Sequence, residues 1–373
     1  MDLSLVNLEF LAMVIDSLAD GVYVTDVERK ILFWNKTAEK LTGWQANDVI
    51  GRTCYDNFLQ HVDKDGHKLC GKEYCPLHRS IKTGEASKNP IFVYAKSKDG
   101  RLVPTQVSVS PLRDADEKII GAVEVFRDMA QAIKDLERAK IIQDNTMTLP
   151  RGEDPRISFR AYQAPVEFVG GDFYRAERIG PDEYGLMIAD VMGHGVSSAL
   201  YTMHLRSLWE DSRLMLADPA AFLTRVNQGL DTLKGQDHHF ATAVYAVIDL
   251  ERKIISYAGA GHPSPFLFHA GEGARILDSS GTPLGLVANV SYQNVTVSFH
   301  AGDHLLFYTD GAVEQMNGGG ECLGEEGFIE LLRRVGFNGS QEHLSKVQLA
   351  LLRYSSALRF LDDLTLLSVQ FNL

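Results

Sequence analysis

Only four cysteines occur in 373 residues, too few for a disulfide scaffold; in a reducing compartment they would be thiols or ligands. No apolar run approaches the ~18–20 residues that span a bilayer. The N-terminus has no basic stretch followed by a short apolar core and a small-residue cleavage site, so the expectation is a cytoplasmic protein with no membrane segment. Positive charge is scarce: 37 Lys and Arg against 49 Asp and Glu leave a net charge of −12, which repels phosphate backbones and argues against nucleic acid as a partner. Three catalytic signatures are missing: the G-x-x-x-x-G-K-S/T phosphate loop, the G-x-S-x-G elbow and H-E-x-x-H. By these tests the chain is not an NTPase, a serine hydrolase or a zincin. What remains is 45% hydrophobic and 23% charged, ordinary for a globular protein of two to three domains at ~150 residues each.

Val6, Phe10, Met13, Val14 and Leu18 recur at helical spacing and predict an amphipathic opening helix. Strands follow at Gly21–Asp26 and 31–35. Asn35 then stands where an N-cap would start a short helix that Gly43 ends. Strands at 91–94, 103–110 and 119–126, joined by turns at Asp99-Gly100 and 114–118, complete a first domain over residues 1–128. Residues 129–149 form a linker helix; Met129, Ile133, Leu136 and Ala139 suit either a plain connector or a two-stranded coiled coil between subunits. Pro150, Gly152 and Pro155 break it, placing the second domain at 150–373. There, strands are expected at 158–164, 184–190, 239–249, 253–259, 265–269, 290–298, 304–309 and 365–370, with helices at 196–216, 219–233, 325–334 and 340–354. Hairpin-linked strands with helices set apart make the fold class α+β.

The chemistry lies in aspartates at strand ends beside glycines. Asp172 follows Gly170-Gly171; Asp190 ends an apolar strand before Val191-Met192-Gly193-His194-Gly195; Asp310 precedes Gly311; Asp362 and Asp363 precede the last strand. Carboxylates gathered in one place repel unless cations neutralise them, and oxygen-only ligands favour the hard ions Mg²⁺ or Mn²⁺ over Zn²⁺. Two such ions about 4 Å apart activate water and offset phosphate charge.

Val169–Tyr174 with 190–200, Ala260-Gly261-His262-Pro263-Ser264-Pro265, Gly281-Thr282-Pro283-Leu284-Gly285, Gly302-Asp303, Tyr308-Thr309-Asp310-Gly311 and Asp362-Asp363-Leu364-Thr365 occur in order. Together they resemble the SpoIIE-type branch of the metal-dependent protein phosphatase 2C-like superfamily, over about residues 150–373. The resemblance implies an α-β-β-α sandwich, a binuclear Mn²⁺ or Mg²⁺ centre and hydrolysis of phosphoserine or phosphothreonine on proteins. By motif, Asp190 and the Val191 carbonyl would be metal ligands, Asp310 and Asp362 would hold one metal, and Asp172 would hold a metal directly or through water. Asp363 would support the site. His194 could be the general acid or a phosphate contact, or a tolerated loop residue, and His262 a structural turn residue. The family often carries a second acid three residues after the Gly-Gly-Asp aspartate; Arg175 stands there, either facing substrate phosphate or solvated on the surface.

Asp20–Asp26, Phe33-Trp34-Asn35 and Leu41-Thr42-Gly43-Trp44 resemble a PAS sensor domain, which implies a small antiparallel sheet with helices and often a dimer. Inside it, Cys54, His61, Cys70 and Cys75 could ligate Zn²⁺ or an iron–sulfur cluster, or pack as reduced thiols; Cys322 stands alone. The combined expectation is a sensor-regulated phosphatase, homodimeric through the PAS domain and linker, acting on a phosphorylated anti-sigma-factor antagonist in partner switching. The alternative is a catalytically weak scaffold that binds a phosphoprotein or a partner kinase.

Overall fold

Asn35 caps a helix as its place in the sequence predicts: its side chain accepts from the Ala38 N–H, and Gly43, at φ 73°, ends that helix. The same side chain also accepts from Val22 N–H and donates to the Ile15 and Asp20 carbonyls, tying the opening helix to the first strand. The computed structural model describes residues 8–56, 58–63, 66–70, 75–87, 90–150, 154–232, 239–269, 273–356 and 360–373. The chain divides into two units, Met1–Asp135 and Leu136–Leu373.

The first unit runs α1 (Leu8–Asp16), β1 (Gly21–Asp26), β2 (Ile31–Trp34), α2 (Lys36–Thr42), α3 (Ala46–Val49), α4 (Pro76–Thr83), β3 (Ile91–Lys96), β4 (Leu102–Arg113) and β5 (Ile119–Asp128). The strands form one antiparallel sheet, in the order β2-β1-β5-β4-β3. Its core includes Tyr23, Trp34, Phe58, Val93, Val107 and Phe126. Helix α5 (Ala130–Asp144) starts in this unit and ends in the second. The units divide within α5, inside the segment 129–149 expected as a linker helix, and the later half of α5 belongs with the second unit. Gly152, read as a breaker, lies outside the described residues.

The second unit continues with β6 (Ile157–Ala164), β7 (Asp172–Arg178), β8 (Glu183–Val191), α6 (Val196–Asp211), α7 (Pro219–Asp231), β9 (Ala241–Asp249), β10 (Ile254–Ala260), β11 (Phe266–Phe268), β12 (Ala274–Ile276), β13 (Val295–Ser298), β14 (His304–Tyr308), α8 (Gly324–Arg334), α9 (Gln341–Ser355) and β15 (Leu364–Phe371). Two five-stranded sheets result, β13-β10-β9-β8-β7 and β12-β11-β14-β15-β6. Period-two alternation sorts their side chains into layers. Leu186 and Ile188 of one sheet pack with Leu305, Phe307, Leu367 and Val369 of the other. Met187 and Ala189 turn the opposite way, to Leu205 and Trp209 of α6 and Phe222 and Val226 of α7. Leu306, Tyr308 and Leu366 turn outward to Phe328, Leu332, Leu344 and Val347 of α8 and α9. This is the expected α-β-β-α sandwich. Strand β7 has no counterpart in the sequence reading, because Arg175, Glu177 and Arg178 hide its alternation. The strand expected from residue 290 pairs only from Val295.

Candidate active site

Antiparallel pairing delivers the carboxylates to one edge of the sandwich. Asp172 opens β7 directly opposite Asp190 near the end of β8. In the second sheet, β14 ends at Tyr308 beside Leu366 of β15, so Asp310 emerges next to Asp362 and Asp363. The two sheets meet at Asp172: its Oδ2 accepts from the Thr309 hydroxyl at 3.0 Å and the Thr365 hydroxyl at 2.6 Å. Its Oδ1 is buried without a partner.

The charges acting on Asp190 in this basin are mostly of one sign. Burial pushes the Asp190 carboxyl up to about 9, and the charged groups acting on it most strongly are Asp172, Asp310, Asp362 and Asp363. Asp310 is pushed up to about 6 by burial and then by Asp362 and Glu314. Asp172 is raised well above the ordinary carboxylate range, first by burial. A carboxylate cluster with an orphaned buried oxygen, in which His194 near Asp363 acts to offset the charge, suits hard divalent cations. No three oxygens of the five carboxylates lie within 4.8 Å of one another, a spread wider than one ion's ligand ring.

The loop before Asp172 is held from two sides. Asp363 accepts from Val166 N–H and Gly171 N–H, both at 2.7 Å, so it supports the loop as the resemblance implies. Gln143, near the end of α5, is buried; it donates to the Gly170 carbonyl at 2.7 Å and accepts from Gly170 N–H at 3.2 Å. The same amide lies 3.0 Å from the Thr202 hydroxyl on α6. Gly171 is required here, because a Cβ on it would fall 2.6 Å from the Val191 carbonyl oxygen. Gln143, Thr309 and Thr365 carry no role in the sequence reading; threonines next to strand-end acids were the available signal, and Gln143 offered none.

His194 is exposed beside the basin, its Nδ1 2.8 Å from the Glu167 carboxylate, which orients the ring. His262 is buried and lies 2.9 Å from the Thr242 hydroxyl, and burial pushes it down to about 3, so it is the neutral structural residue expected. Arg175 meets neither expectation. It is buried, pairs with Glu177 at 2.7 Å and Glu210 at 2.9 Å, and lies over the Trp209 ring. The physical reason is strand alternation: a residue three places after Asp172 points to the opposite face, toward α6. Arg175→Met is therefore expected to cost ~1–3 kcal/mol of stability in denaturant unfolding while turnover stays within about twofold. A turnover loss above tenfold in a folded variant would return Arg175 to the substrate site.

Residues 180–372 match the family model of Stage II sporulation protein E, and residues 9–129 match the PAS fold. The chain belongs to the SpoIIE family. It is 34% identical over 185 residues to the phosphoserine phosphatase RsbP of Bacillus subtilis, covering 48% of this chain and 45% of that protein. To phosphoserine phosphatase RsbU of the same organism it is 23% identical over 252 residues, covering 65% of this chain and 72% of that one. The chain thus spans less than half the length of RsbP, and 43% of the protein IcfG of Synechocystis, a further relative. Among solved structures, the SiaA-PP2C domain of Pseudomonas aeruginosa superposes with TM-score 0.57 at 26% identity, covering 65% of this chain and 99% of that one. The PP2C domain of SpoIIE from Bacillus subtilis, with part of its regulatory domain, superposes at 0.51 and 18% identity, a likeness of fold; it covers 76% of this chain and 80% of that one.

In the PAS half of this SpoIIE-family chain, Cys54, His61, Cys70 and Cys75 do not close around a single Zn²⁺ ion. No three ligand atoms of Cys54, His61, Cys70 and Cys75 lie within 4.8 Å of one another. Cys54 and Cys75 are buried in the apolar core, and burial holds the Cys54 and Cys70 thiols above their ordinary range, Cys70 at about 11. His61 turns instead toward Glu124, with Nε2 3.8 Å from Oε1, and its N–H donates to the Cys70 sulfur at 3.1 Å. Glu124 is a fully buried carboxyl on β5, facing inward with Ala122 and Phe126, and burial pushes it up to about 7. Burial pushes His61 down to about 4.

These shifts predict a pH response with a definite sign. Glu124 binds its proton more tightly folded than unfolded, so its contribution is full below about 4.5 and is lost as pH rises through about 7. His61 works in the opposite direction, its contribution being lost as pH falls through about 4. Glu124→Gln removes the first contribution alone. The variant is expected to gain ~2 kcal/mol on wild type between pH 5 and pH 7 in urea unfolding followed by tryptophan fluorescence. A pH-independent difference would mean that Glu124 is solvated.

Proposed function

We propose that this protein is a metal-dependent phosphoprotein phosphatase that removes phosphate from serine or threonine, under the control of its PAS domain. The observation that carries this reading is the basin around Asp190, where the strongest charged neighbours of a half-buried carboxyl are four further carboxylates. Asp190, the Val191 carbonyl, Asp310 and Asp362 would hold Mn²⁺ or Mg²⁺, with Asp172 offering its unpartnered oxygen. When bound, two such ions supply a water of lowered pKa and offset the charge of the substrate phosphate. Thr309 and Thr365 fix the orientation of Asp172, and Asp363 fixes the loop that carries it. His194, oriented by Glu167 at the rim, donates a proton to the departing serine oxygen.

RsbP and RsbU are phosphoserine phosphatases by name, which supports phosphoserine as substrate; its carrier would be a phosphorylated anti-sigma-factor antagonist, as the family resemblance implies. Exposed Phe10, Leu11, Met13 and Val14 on α1 support a homodimer through the PAS half. No helix of the described residues is long and apolar enough to cross a membrane, which supports a cytoplasmic site of action. Because α5 spans the division between the units, a signal that turns it moves Gln143 and, with it, the loop before Asp172. The scaffold alternative rested on Arg175, whose ion pairs now account for it. The test is Mn²⁺-dependent hydrolysis of an aryl phosphate by the full chain beside Asp310→Asn. Activity lost in the variant supports the reading; equal activity in both defeats it.

A further inference from the structure

We propose that His269, His300 and Asp303 form a second metal site, for a transition-metal ion such as Zn²⁺, separate from the carboxylate basin. Among the described residues, this is the one group of three His, Cys, Asp or Glu side chains whose ligand atoms all lie within 4.8 Å of one another. Its chemistry differs from that of the basin: two imidazoles and one carboxylate suit borderline ions such as Zn²⁺, whereas oxygen alone suits Mg²⁺.

The backbone builds this site rigidly. Phe268 of β11 pairs with His304 of β14, so His269 and Asp303 continue the ladder as neighbours across the two strands. His300 enters from the turn before β14, closed by the Asp303 N–H donating to the His300 carbonyl at 3.2 Å. The end of β15 clamps that turn, with Gly302 N–H donating to the Phe371 carbonyl at 2.7 Å and Phe371 N–H donating to the Asp303 carbonyl at 3.0 Å. The Asp303 carboxylate is buried, and its Oδ2 lies 2.8 Å from His269 Nδ1 and 3.6 Å from His300 Nδ1. Tetrahedral ligands about 2.1 Å from an ion stand roughly 3.4 Å apart, so only small ring movements are needed. His300 is 76% exposed and His269 20%, which gives the ion a route in and leaves a coordination position open to water.

The trio sits at the start of β14, whereas Asp310 lies just beyond its end, roughly 20 Å away at ~3.4 Å per residue. An ion there cannot be one of the basin's ions; it would staple the turn before β14 to the end of β11. Without an ion, the same three residues make a hydrogen-bonded turn, because Asp303 also accepts from His300 N–H at 2.7 Å. The experiment must separate these two states.

The full chain is held in saturating Mg²⁺, which fills the oxygen basin, and titrated with Zn²⁺ and in parallel with Co²⁺. Wild type is expected to bind one ion that His300→Ala weakens at least tenfold. Co²⁺ at this site is expected to give imidazole-type visible bands that the variant lacks. His269→Asn, which keeps a donor at the Nδ1 position toward Asp303, guards against a folding defect and is expected to weaken binding equally. Aryl phosphate hydrolysis in Mg²⁺ is expected to be unchanged in both. Equal Zn²⁺ affinity and equal Co²⁺ spectra in wild type and both variants would overturn the proposal, leaving the hydrogen-bonded turn.

Discussion

Asp190→Asn is expected to lower Mn²⁺-supported turnover at least ~10³-fold and, in the absence of divalent metal, to raise the stability of the protein. The two effects share one cause. In the folded chain Asp190 is half-buried beside Asp172, Asp310, Asp362 and Asp363, and its carboxyl is pushed up to about 9. Folding therefore disfavours its ionised form, and an uncharged amide of the same shape relieves that repulsion by ~1–3 kcal/mol. The same change removes the ligand that would hold the activating ions, and loss of such preorganised charge stabilisation reaches several kcal/mol of barrier. Urea unfolding in EDTA measures the first effect, and initial rates in Mn²⁺ measure the second. A variant that is both inactive and less stable in EDTA would show that Asp190 serves the fold and is not a metal ligand.

The second large effect is expected at Gln143, which no family motif covers. Its amide meets Gly170 N–H, the Gly170 carbonyl and the Thr202 hydroxyl, all within buried surroundings. Gln143→Leu keeps the bulk and strands the Gly170 N–H and the Gly170 carbonyl, at ~1–3 kcal/mol for each buried group, while the Thr202 hydroxyl keeps its bond to the Ala199 carbonyl. The loop before Asp172 then loses its anchor on α5 and keeps those through Asp363 and through the Val191 N–H on the Gly171 carbonyl. Turnover is expected to fall ~10–100-fold, together with a higher Mn²⁺ requirement, because a misplaced ligand weakens both. A purely structural role would lower stability and leave the Mn²⁺ requirement unmoved. Wild-type turnover with wild-type Mn²⁺ dependence would detach α5 from the site.

The acids were legible in the sequence because each sits at the edge of an apolar strand run: Asp190 and Asp310 where one stops, Asp172 after two glycines, Asp362 and Asp363 before the last strand. That pattern is local, and the antiparallel registers of β7 with β8 and of β14 with β15 then bring the acids to one edge. Residues whose roles depend on distant pairing were not legible. Thr365 meets Asp172 across 193 positions, and Gln143 meets Thr202 across 59. Arg175 was misread because β7 was not seen as a strand; once it is, alternation alone turns the side chain away from the basin. Glu124 sits in a β-type run, where an acid ordinarily faces solvent, yet it lies on the inward face with Ala122 and Phe126. The cysteines offer only a spacing in the sequence; His61 turns toward Glu124, and the set does not close around a single ion.

The most direct test of the central claim is dephosphorylation of a phosphoserine protein by the full chain across a Mn²⁺ titration, with bound ions counted by calorimetry in the same buffer. The account predicts no turnover in EDTA, turnover that rises with occupancy of the carboxylate basin, and loss of both in Asp310→Asn. Turnover that persists in EDTA, or Mn²⁺ bound in the basin with no turnover on any phosphoserine substrate, would contradict it.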